Sequence, residues 1–241
     1  MTLPRTTSIL PPILVFDLDG TLAETAGDLI GSLNVILERE NIAPVSLADG
    51  REMVGAGGRA LIRQGFKASG RDVDPDRLEA LFQDYLAHYE SRIAQESHLF
   101  PGVVAALDRF EAASWRFAVC TNKVEGPSCL LLRELGVAQR FSAICGQDTF
   151  KVDDRPISKP DPRALTMTIA RADGDPARAV MIGDSKTDIH TAQAAGIPVI
   201  AVDFGYTDAP VHTFAPDRII SRFDDLWDAV ESLKIGRVAP V

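Results

Sequence analysis

The chain has 241 residues, 46% hydrophobic and 24% charged, enough for one large core or a core with a small second domain. Lys and Arg number 25 against 34 Asp and Glu, a net charge of −9 that speaks against non-specific nucleic-acid or anionic-membrane binding. Cys120, Cys129 and Cys145 are odd in number and hold no Cys-x-x-Cys pair, which excludes a zinc ribbon or disulfide framework and fits a reducing compartment.

Residues 1–12 carry one Arg and no apolar stretch long enough for an export signal. No window approaches the ~20 apolar residues of a membrane span, so the expected location is the cytoplasm. Ile13-Leu14-Val15-Phe16 is a short apolar run with prolines before and Asp-Gly after, which predicts a fully buried strand of the parallel type. No strand pattern follows over 24–97. Instead Leu29, Ile30, Leu33, Ile36 and Leu37 mark one helical face, and Leu78, Leu81, Phe82, Tyr85, Leu86, Tyr89 and Ile93 a longer one. This is too much chain for one crossover and predicts a helical insertion folded as a small cap. Phe100-Pro101-Gly102 punctuates the return, and a crossover helix is predicted over 103–111. Apolar runs then recur at Phe117-Ala118-Val119-Cys120, Ala143-Ile144-Cys145, Ala179-Val180-Met181-Ile182 and Pro198-Val199-Ile200-Ala201-Val202, with a weaker one at Arg218-Ile219-Ile220. Helices are predicted between them over 129–135, closed by Gly136, over 162–172, opened by Pro162 and followed by Gly174, and over 186–195, closed by Gly196. Strand and helix in alternation predict a doubly wound α/β sheet. The expected division is an α/β core over 1–23 and 99–241, with a helical, substrate-selecting cap over 24–98; the tail from 235 is expected to fray.

Asp17 and Asp19 lie just past the first strand, in Asp17-Leu18-Asp19-Gly20-Thr21. Ligands of open α/β sheets bind beyond the carboxyl ends of strands. Two acids there can divide phosphoryl chemistry: one attacks phosphorus and forms an acyl-phosphate, while the other gives a proton to the leaving oxygen and later takes one from water. Asp-Gly is also an ordinary turn, and Thr21 can hold that turn or touch phosphate. A second acidic site, Gly183-Asp184-Ser185-Lys186-Thr187-Asp188, follows the run ending at Ile182. Carboxylates gathered at strand ends repel unless a cation joins them, and oxygen-only ligands suit Mg2+. The expected ligands are Asp17, Asp184 and the Asp19 carbonyl, with Asp188 behind them, accepting from backbone or Lys159. Thr121-Asn122 offers a hydroxyl and an amide to phosphate oxygens. Lys159, flanked by prolines in Ser158-Lys159-Pro160-Asp161-Pro162, offers an ammonium.

In order, Asp17-Leu18-Asp19-Gly20-Thr21, Thr121, Lys159 and Gly183-Asp184 with Asp188 resemble the four signature motifs of the haloacid dehalogenase superfamily. The resemblance spans residues 13 to about 206. It implies Asp17 as nucleophile, Asp19 as general acid and base, Thr121 and Lys159 as a phosphate clamp, and Asp184 as a Mg2+ ligand. It also implies a Rossmann-like core with a helical cap after the first strand, in agreement with the gap between strands. Within the superfamily the chain looks most similar to phosphoglycolate phosphatases, through Val54-Gly55-Ala56-Gly57-Gly58-Arg59-Ala60-Leu61, Phe100-Pro101-Gly102-Val103, Thr121-Asn122-Lys123, Lys159-Pro160-Asp161-Pro162 and Phe204-Gly205-Tyr206.

That likeness implies a small phosphorylated metabolite as partner, 2-phosphoglycolate foremost, and hence a cap group for its carboxylate. Gly57 and Gly58 could present backbone N–H groups, and Arg59 could pair with the anion or serve as a solvated helix residue. Asp19 speaks against dehalogenation, which needs no proton for a leaving alkoxide. Leu29, where β-phosphoglucomutases carry a histidine, speaks against a phosphomutase. Glu24 in place of an aspartate, Thr207 in place of an asparagine, and a long loop over 147–158 depart from the pattern and leave sugar-phosphate, nucleotide or phosphorylated amino-acid hydrolysis open. Outside enzymes, a phospho-receiver switch shares the clustered acids, Thr and Lys, but lacks the insertion and a second acid placed to activate water. His88, His98, His190 and His212 show no ligand spacing, and the Phe82, Tyr85, Tyr89 stripe reads as cap core. Monomer and homodimer both fit.

Overall fold

The computed structural model describes residues 10–207 and 209–235; the predicted absence of an export signal falls mostly, and the predicted fraying of the tail almost entirely, outside them. The chain enters at strand β1 (Ile13–Phe16) and passes the two-residue strand β2 (Ala23–Glu24). Helices α1 (Ala26–Arg39), α2 (Leu47–Arg51), α3 (Gly58–Ala68) and α4 (Pro75–Glu90) follow. Strand β3 (His98–Leu99) then pairs antiparallel with β2. Next come α5 (Val103–Ala112), β4 (Arg116–Cys120), α6 (Glu125–Glu134), β5 (Ala143–Cys145), β6 (Phe150–Val152) and β7 (Arg155–Ile157). The chain continues through α7 (Pro162–Arg171), β8 (Ala179–Gly183), α8 (Lys186–Ala195), β9 (Val199–Val202), β10 (Arg218–Ile220) and α9 (Leu226–Ser232).

Six strands form one parallel sheet in the order β10-β9-β8-β1-β4-β5. The strands pair where the apolar runs predicted them, because a strand covered on both faces needs apolar side chains at every position. Alternation along β1 divides the core. Leu14 and Phe16 face one layer with Leu107 of α5, Leu131 of α6 and Leu226 of α9. Ile13 and Val15 face the other, with Leu165 and Ile169 of α7 and Ile189 of α8. Helices on both faces make the sheet doubly wound. From β1 the chain builds β4 and β5 to one side and β8, β9 and β10 to the other, so the switch point lies at the carboxyl ends of β1, β4 and β8. Cys120 and Cys145 are register partners on β4 and β5, yet both are buried free thiols.

Helices α1 to α4 occupy the interval between β2 and β3, where the sequence predicted an insertion. Gly65 lets α3 approach α1 closely: a Cβ there would stand 3.2 Å from Leu33 and Leu37. Asp28 ties α1 to the returning chain, accepting from the backbone N–H of Glu96 and from Ser97 N–H (2.8 Å) and Oγ (2.6 Å).

Two predicted boundaries differ. Helix α6 starts at Glu125, four residues before the predicted start, because Pro127 falls in the first turn, where no intrahelical N–H is needed. Segment 147–158, read as a long loop, contains the β6–β7 hairpin, with Phe150 opposite Ile157 and Val152 opposite Arg155. Its turn places Asp153 and Asp154 at φ 50° and 61°, the left-handed pair a two-residue hairpin turn requires. Three-residue strands with mostly exposed side chains carry too little alternation to be read from sequence. No helix among the described residues is long and apolar enough to cross a membrane.

Candidate active site

Asp17 is the first residue past β1, and its N–H donates to Ile182 C=O on β8 at 2.9 Å. This bond sets the ends of β1 and β8 side by side and brings Asp17 to Asp184. The turn then closes tightly at Gly20, φ 80°. A Cβ on Gly20 would stand 2.3 Å from Asp184 Oδ2, and one on Gly205 2.4 Å from the same atom. Two glycines therefore let two backbones close over one carboxylate. Thr21 Oγ1 donates to Asp184 Oδ1 at 3.2 Å, and Tyr206 N–H donates to Oδ2 at 2.5 Å.

Asp17, Asp184 and Asp188 are buried, and each offers a carboxylate oxygen within 4.8 Å of the others. Lys159 Nζ lies 2.9 Å from Asp17 Oδ1 and 2.5 Å from Asp188 Oδ1. Burial acts against the Lys159 charge, but Asp17 and Asp188 outweigh it and hold the ammonium above its usual range. Burial pushes the Asp17 carboxyl up to about 6, with the charges of Asp188 and Asp19 adding to it and Lys159 opposing it. Burial, then the charges of Asp188 and Asp17, raise Asp184 well above the usual carboxylate range. Three carboxylates against one ammonium leave two negative charges uncompensated in a buried site.

This donor set fits a divalent cation. Asp188 has both oxygens engaged, Oδ1 by Lys159 and Oδ2 by Ser185 N–H (3.1 Å) and Oγ (2.7 Å). Asp17 Oδ1 is buried with the Lys159 ammonium, at 2.9 Å, as its one close partner. The Asp19 carbonyl accepts no backbone hydrogen bond among the described residues. An all-oxygen set with two negative charges to spare is what Mg2+ selects.

Asp19 lies on the other side of the turn. Its Oδ1 accepts from Thr25 Oγ1 at 2.8 Å, and both its oxygens accept from Lys123 Nζ, at 2.9 and 3.0 Å. Lys123 had appeared only as part of a resemblance; the structure brings it into the site. Its register was readable, since Thr121 and Lys123 are two residues apart past the end of β4. Lys123 Nζ also sits 4.5 Å from the Tyr89 ring centroid. Thr121 is buried at the same strand end, and its Oγ1 accepts from Lys123 N–H at 3.2 Å. Asn122 corrects one expectation: its amide nitrogen is committed to Lys159 C=O (3.2 Å) and Gly55 C=O (3.3 Å), so it braces the Gly55 turn against the Lys159 loop. The backbone N–H groups of Leu18, Asp19 and Asn122 find no acceptor among the described residues, and these are the donors left for phosphate oxygens.

Glu24 explains its departure from aspartate. Its Oε2 meets Arg51 at 2.6 Å, and its Oε1 accepts from Tyr206 Oη at 2.5 Å. Tyr206 Oη in turn accepts from the N–H groups of Thr25 (2.6 Å) and Ala26 (3.0 Å), and Arg51 lies 4.8 Å from its ring centroid. One residue thus joins the chain around Asp184 to the start of α1.

A pocket beside Asp17 and Asp19 is lined by Thr121, Asn122 and Lys123 from the core side and by Gly57, Gly58, Leu29, Phe82, Tyr85 and Tyr89 from the insertion. Gly57, at φ 85°, passes so close that a Cβ would stand 2.9 Å from Asn122 C=O. Arg59 is absent from the pocket wall. Its guanidinium is held by both Glu79 oxygens (2.8 and 2.7 Å) and lies 3.7 Å from the Phe82 ring centroid. Of the two readings left open for Arg59, substrate-anion partner or solvated helix residue, the structure shows a partly exposed side chain paired with Glu79 within the insertion.

Carboxylates past the ends of two adjacent strands, β1 and β8, a buried lysine among them and a helical insertion after β1 define a phosphoryl-transfer site on a doubly wound core. The chain belongs to the haloacid dehalogenase-like hydrolase family, whose model matches residues 14–202. It is 50% identical over 215 residues to a phosphoglycolate phosphatase of Mesorhizobium japonicum, covering 89% of this chain and 92% of that one. It is 43% identical over 227 residues to a phosphoglycolate phosphatase of Caulobacter vibrioides, covering 94% of each. Among solved structures, one described as a predicted phosphoglycolate phosphatase from Haemophilus somnus superposes with a TM-score of 0.83 at 25% identity, covering 92% of this chain and 98% of that one. The protein is accordingly an enzyme, a phosphatase of this family.

Proposed function

We propose that the protein is a Mg2+-dependent phosphatase that hydrolyses 2-phosphoglycolate through an aspartyl-phosphate on Asp17, with the insertion over 24–98 acting as its substrate-selecting cap. The single observation that carries the reading is the pairing of two buried acids with two separate lysines: Asp17 with Lys159, and Asp19 with Lys123. The high identity to phosphoglycolate phosphatases supports the substrate.

Asp17, Asp184 and the Asp19 carbonyl are the groups that would hold Mg2+, with Asp188 fixing Lys159 behind them. Bound there, Mg2+ would neutralise charge on the transferring phosphoryl oxygens and on the carboxylates themselves. Phosphate is held by Thr121, Lys159 and the free N–H groups of Leu18, Asp19 and Asn122, which answers how a chain of net charge −9 binds an anion. An Asp17 oxygen attacks phosphorus, and the ester P–O bond breaks. The leaving glycolate oxygen takes a proton from Asp19. Asp19, now ionised, takes a proton from water; the water oxygen attacks phosphorus, the P–O bond to Asp17 breaks, and inorganic phosphate leaves. Leu29, an apolar pocket residue, offers no base for the phosphomutase alternative.

The test is kcat/KM across 2-phosphoglycolate, sugar phosphates, nucleotides and phosphoserine, with Mg2+ and with chelator, for the wild type and for Asp17→Asn and Asp19→Asn. The expected result is a clear maximum at 2-phosphoglycolate, loss with chelator, no turnover in Asp17→Asn and a loss of about 10²–10⁴-fold in Asp19→Asn. A maximum at another substrate class, or substantial turnover by Asp17→Asn, overturns the reading.

A further inference from the structure

Helix α4 carries Phe82, Tyr85 and Tyr89 on one face, three or four residues apart, and the rings stack in sequence with centroids 6.5 and 6.1 Å apart. That face packs into the apolar core, as its spacing predicts. Two features do not belong to a core. Tyr85 and Tyr89 are 2% and 1% exposed, yet neither hydroxyl has a hydrogen-bond partner. A buried hydroxyl without a partner is costly, and phenylalanine would serve the packing without that cost. Both tyrosines also line the pocket that holds Asp17, Asp19 and Lys123. Gly58 is shaped to the same stack, since a Cβ there would meet Phe82 at 2.8 Å and Tyr85 at 3.2 Å.

We propose that the Tyr85 and Tyr89 hydroxyls, with Lys123, form the subsite that takes the substrate's carboxylate. The proposal rests on the phosphoglycolate reading and assigns the end of the molecule opposite the phosphate. The chemistry matches in kind. Two phenolic donors and an ammonium are complementary to a carboxylate and to no cation. Burial raises both phenols well above their usual range, so both remain O–H donors at any working pH. Lys123 is the only lysine on the pocket wall among the described residues, whereas Arg59 is held by Glu79 outside it. A carboxylate arriving at Lys123 would share the ammonium with Asp19, which holds it at 2.9 and 3.0 Å.

The test compares 2-phosphoglycolate with ethyl phosphate, which keeps the phosphate and the length but has no carboxylate, in the wild type and in Tyr85→Phe, Tyr89→Phe and the double variant. Wild-type preference for 2-phosphoglycolate tests the parent reading by itself; its absence sinks that reading. Given that preference, each Tyr→Phe change is expected to lower kcat/KM for 2-phosphoglycolate by about tenfold or more, as loss of a hydrogen bond to a charged group does, and to leave ethyl phosphate within about threefold. Melting temperatures are expected to hold or rise, because each change removes an unpartnered buried hydroxyl. A double variant that keeps the wild-type preference refutes the subsite, with the substrate reading intact. A double variant that loses both substrates equally, or melts well below the wild type, also refutes it, since the hydroxyls would then be structural.

Discussion

Tyr206→Phe isolates the hydroxyl that joins the Asp184 loop to the start of α1. The substitution keeps the ring beside Arg51 and the backbone N–H given to Asp184. It removes one oxygen that accepts from Thr25 and Ala26 and donates to Glu24. Ala26 N–H retains Glu24 Oε1 at 3.1 Å, and Glu24 retains Arg51, so Ala26 loses little while Glu24 loses one of its donors. Thr25 N–H is left with no acceptor among the described residues, in a residue that is fully buried. An unsatisfied buried donor costs about 1–3 kcal/mol, and the lost donor to Glu24 brings the total to about 2–4 kcal/mol. In a chain of this size each kcal/mol shifts Tm by about 2–4 °C, so a fall of roughly 4–16 °C is expected. Differential scanning calorimetry, with a urea titration to check that the m-value is unchanged, measures it. A fall under about 2 °C would mean that the hydroxyl is not what satisfies α1, and the reasoning fails.

Gly20→Ala is expected to fold but to lose turnover by about 10²-fold or more, because the new Cβ must push Asp184 aside; a misplacement near 1 Å carries that cost. Steady-state phosphate release checks it, and near-wild-type activity would show that Asp184 has room to move. Arg59→Ala is expected to leave kcat/KM for 2-phosphoglycolate within about twofold and to cost under about 1 kcal/mol, as an exposed ion pair does. A selective rise in KM would restore Arg59 to substrate binding. For pH, the folded carboxyls of Asp17, at about 6, and Asp184 are raised above their unfolded values. Between about pH 4 and 6 the folded state therefore holds protons that the unfolded state has lost, and stability falls as pH rises. Tm in chelator, compared with Tm in Mg2+ across that range, should show the fall only in chelator; parallel curves would argue against a cation in the cluster.

The strands, their parallel type and the helical stretch between β2 and β3 were legible because a strand buried on both faces is an unbroken apolar run, and a stretch without such runs is conspicuous. The placement of the candidate acids was legible for a related reason: a residue just past such a run stands at a sheet end, whatever surrounds it. Asp17, Asp184 and Thr121 needed only that. Short-range pattern could not report the partners. Asp19 meets a lysine 104 residues away, and Glu24 meets a tyrosine 182 residues away. Arg59 and Lys123 carry the same charge in sequence; only packing turned one to Glu79 and the other into the pocket. Periodicity likewise put Tyr85 and Tyr89 on the apolar face of α4, and on that count they were core. That their hydroxyls lack partners, and that both residues line the pocket, is a property of what lies across from them, which the tertiary structure alone decides.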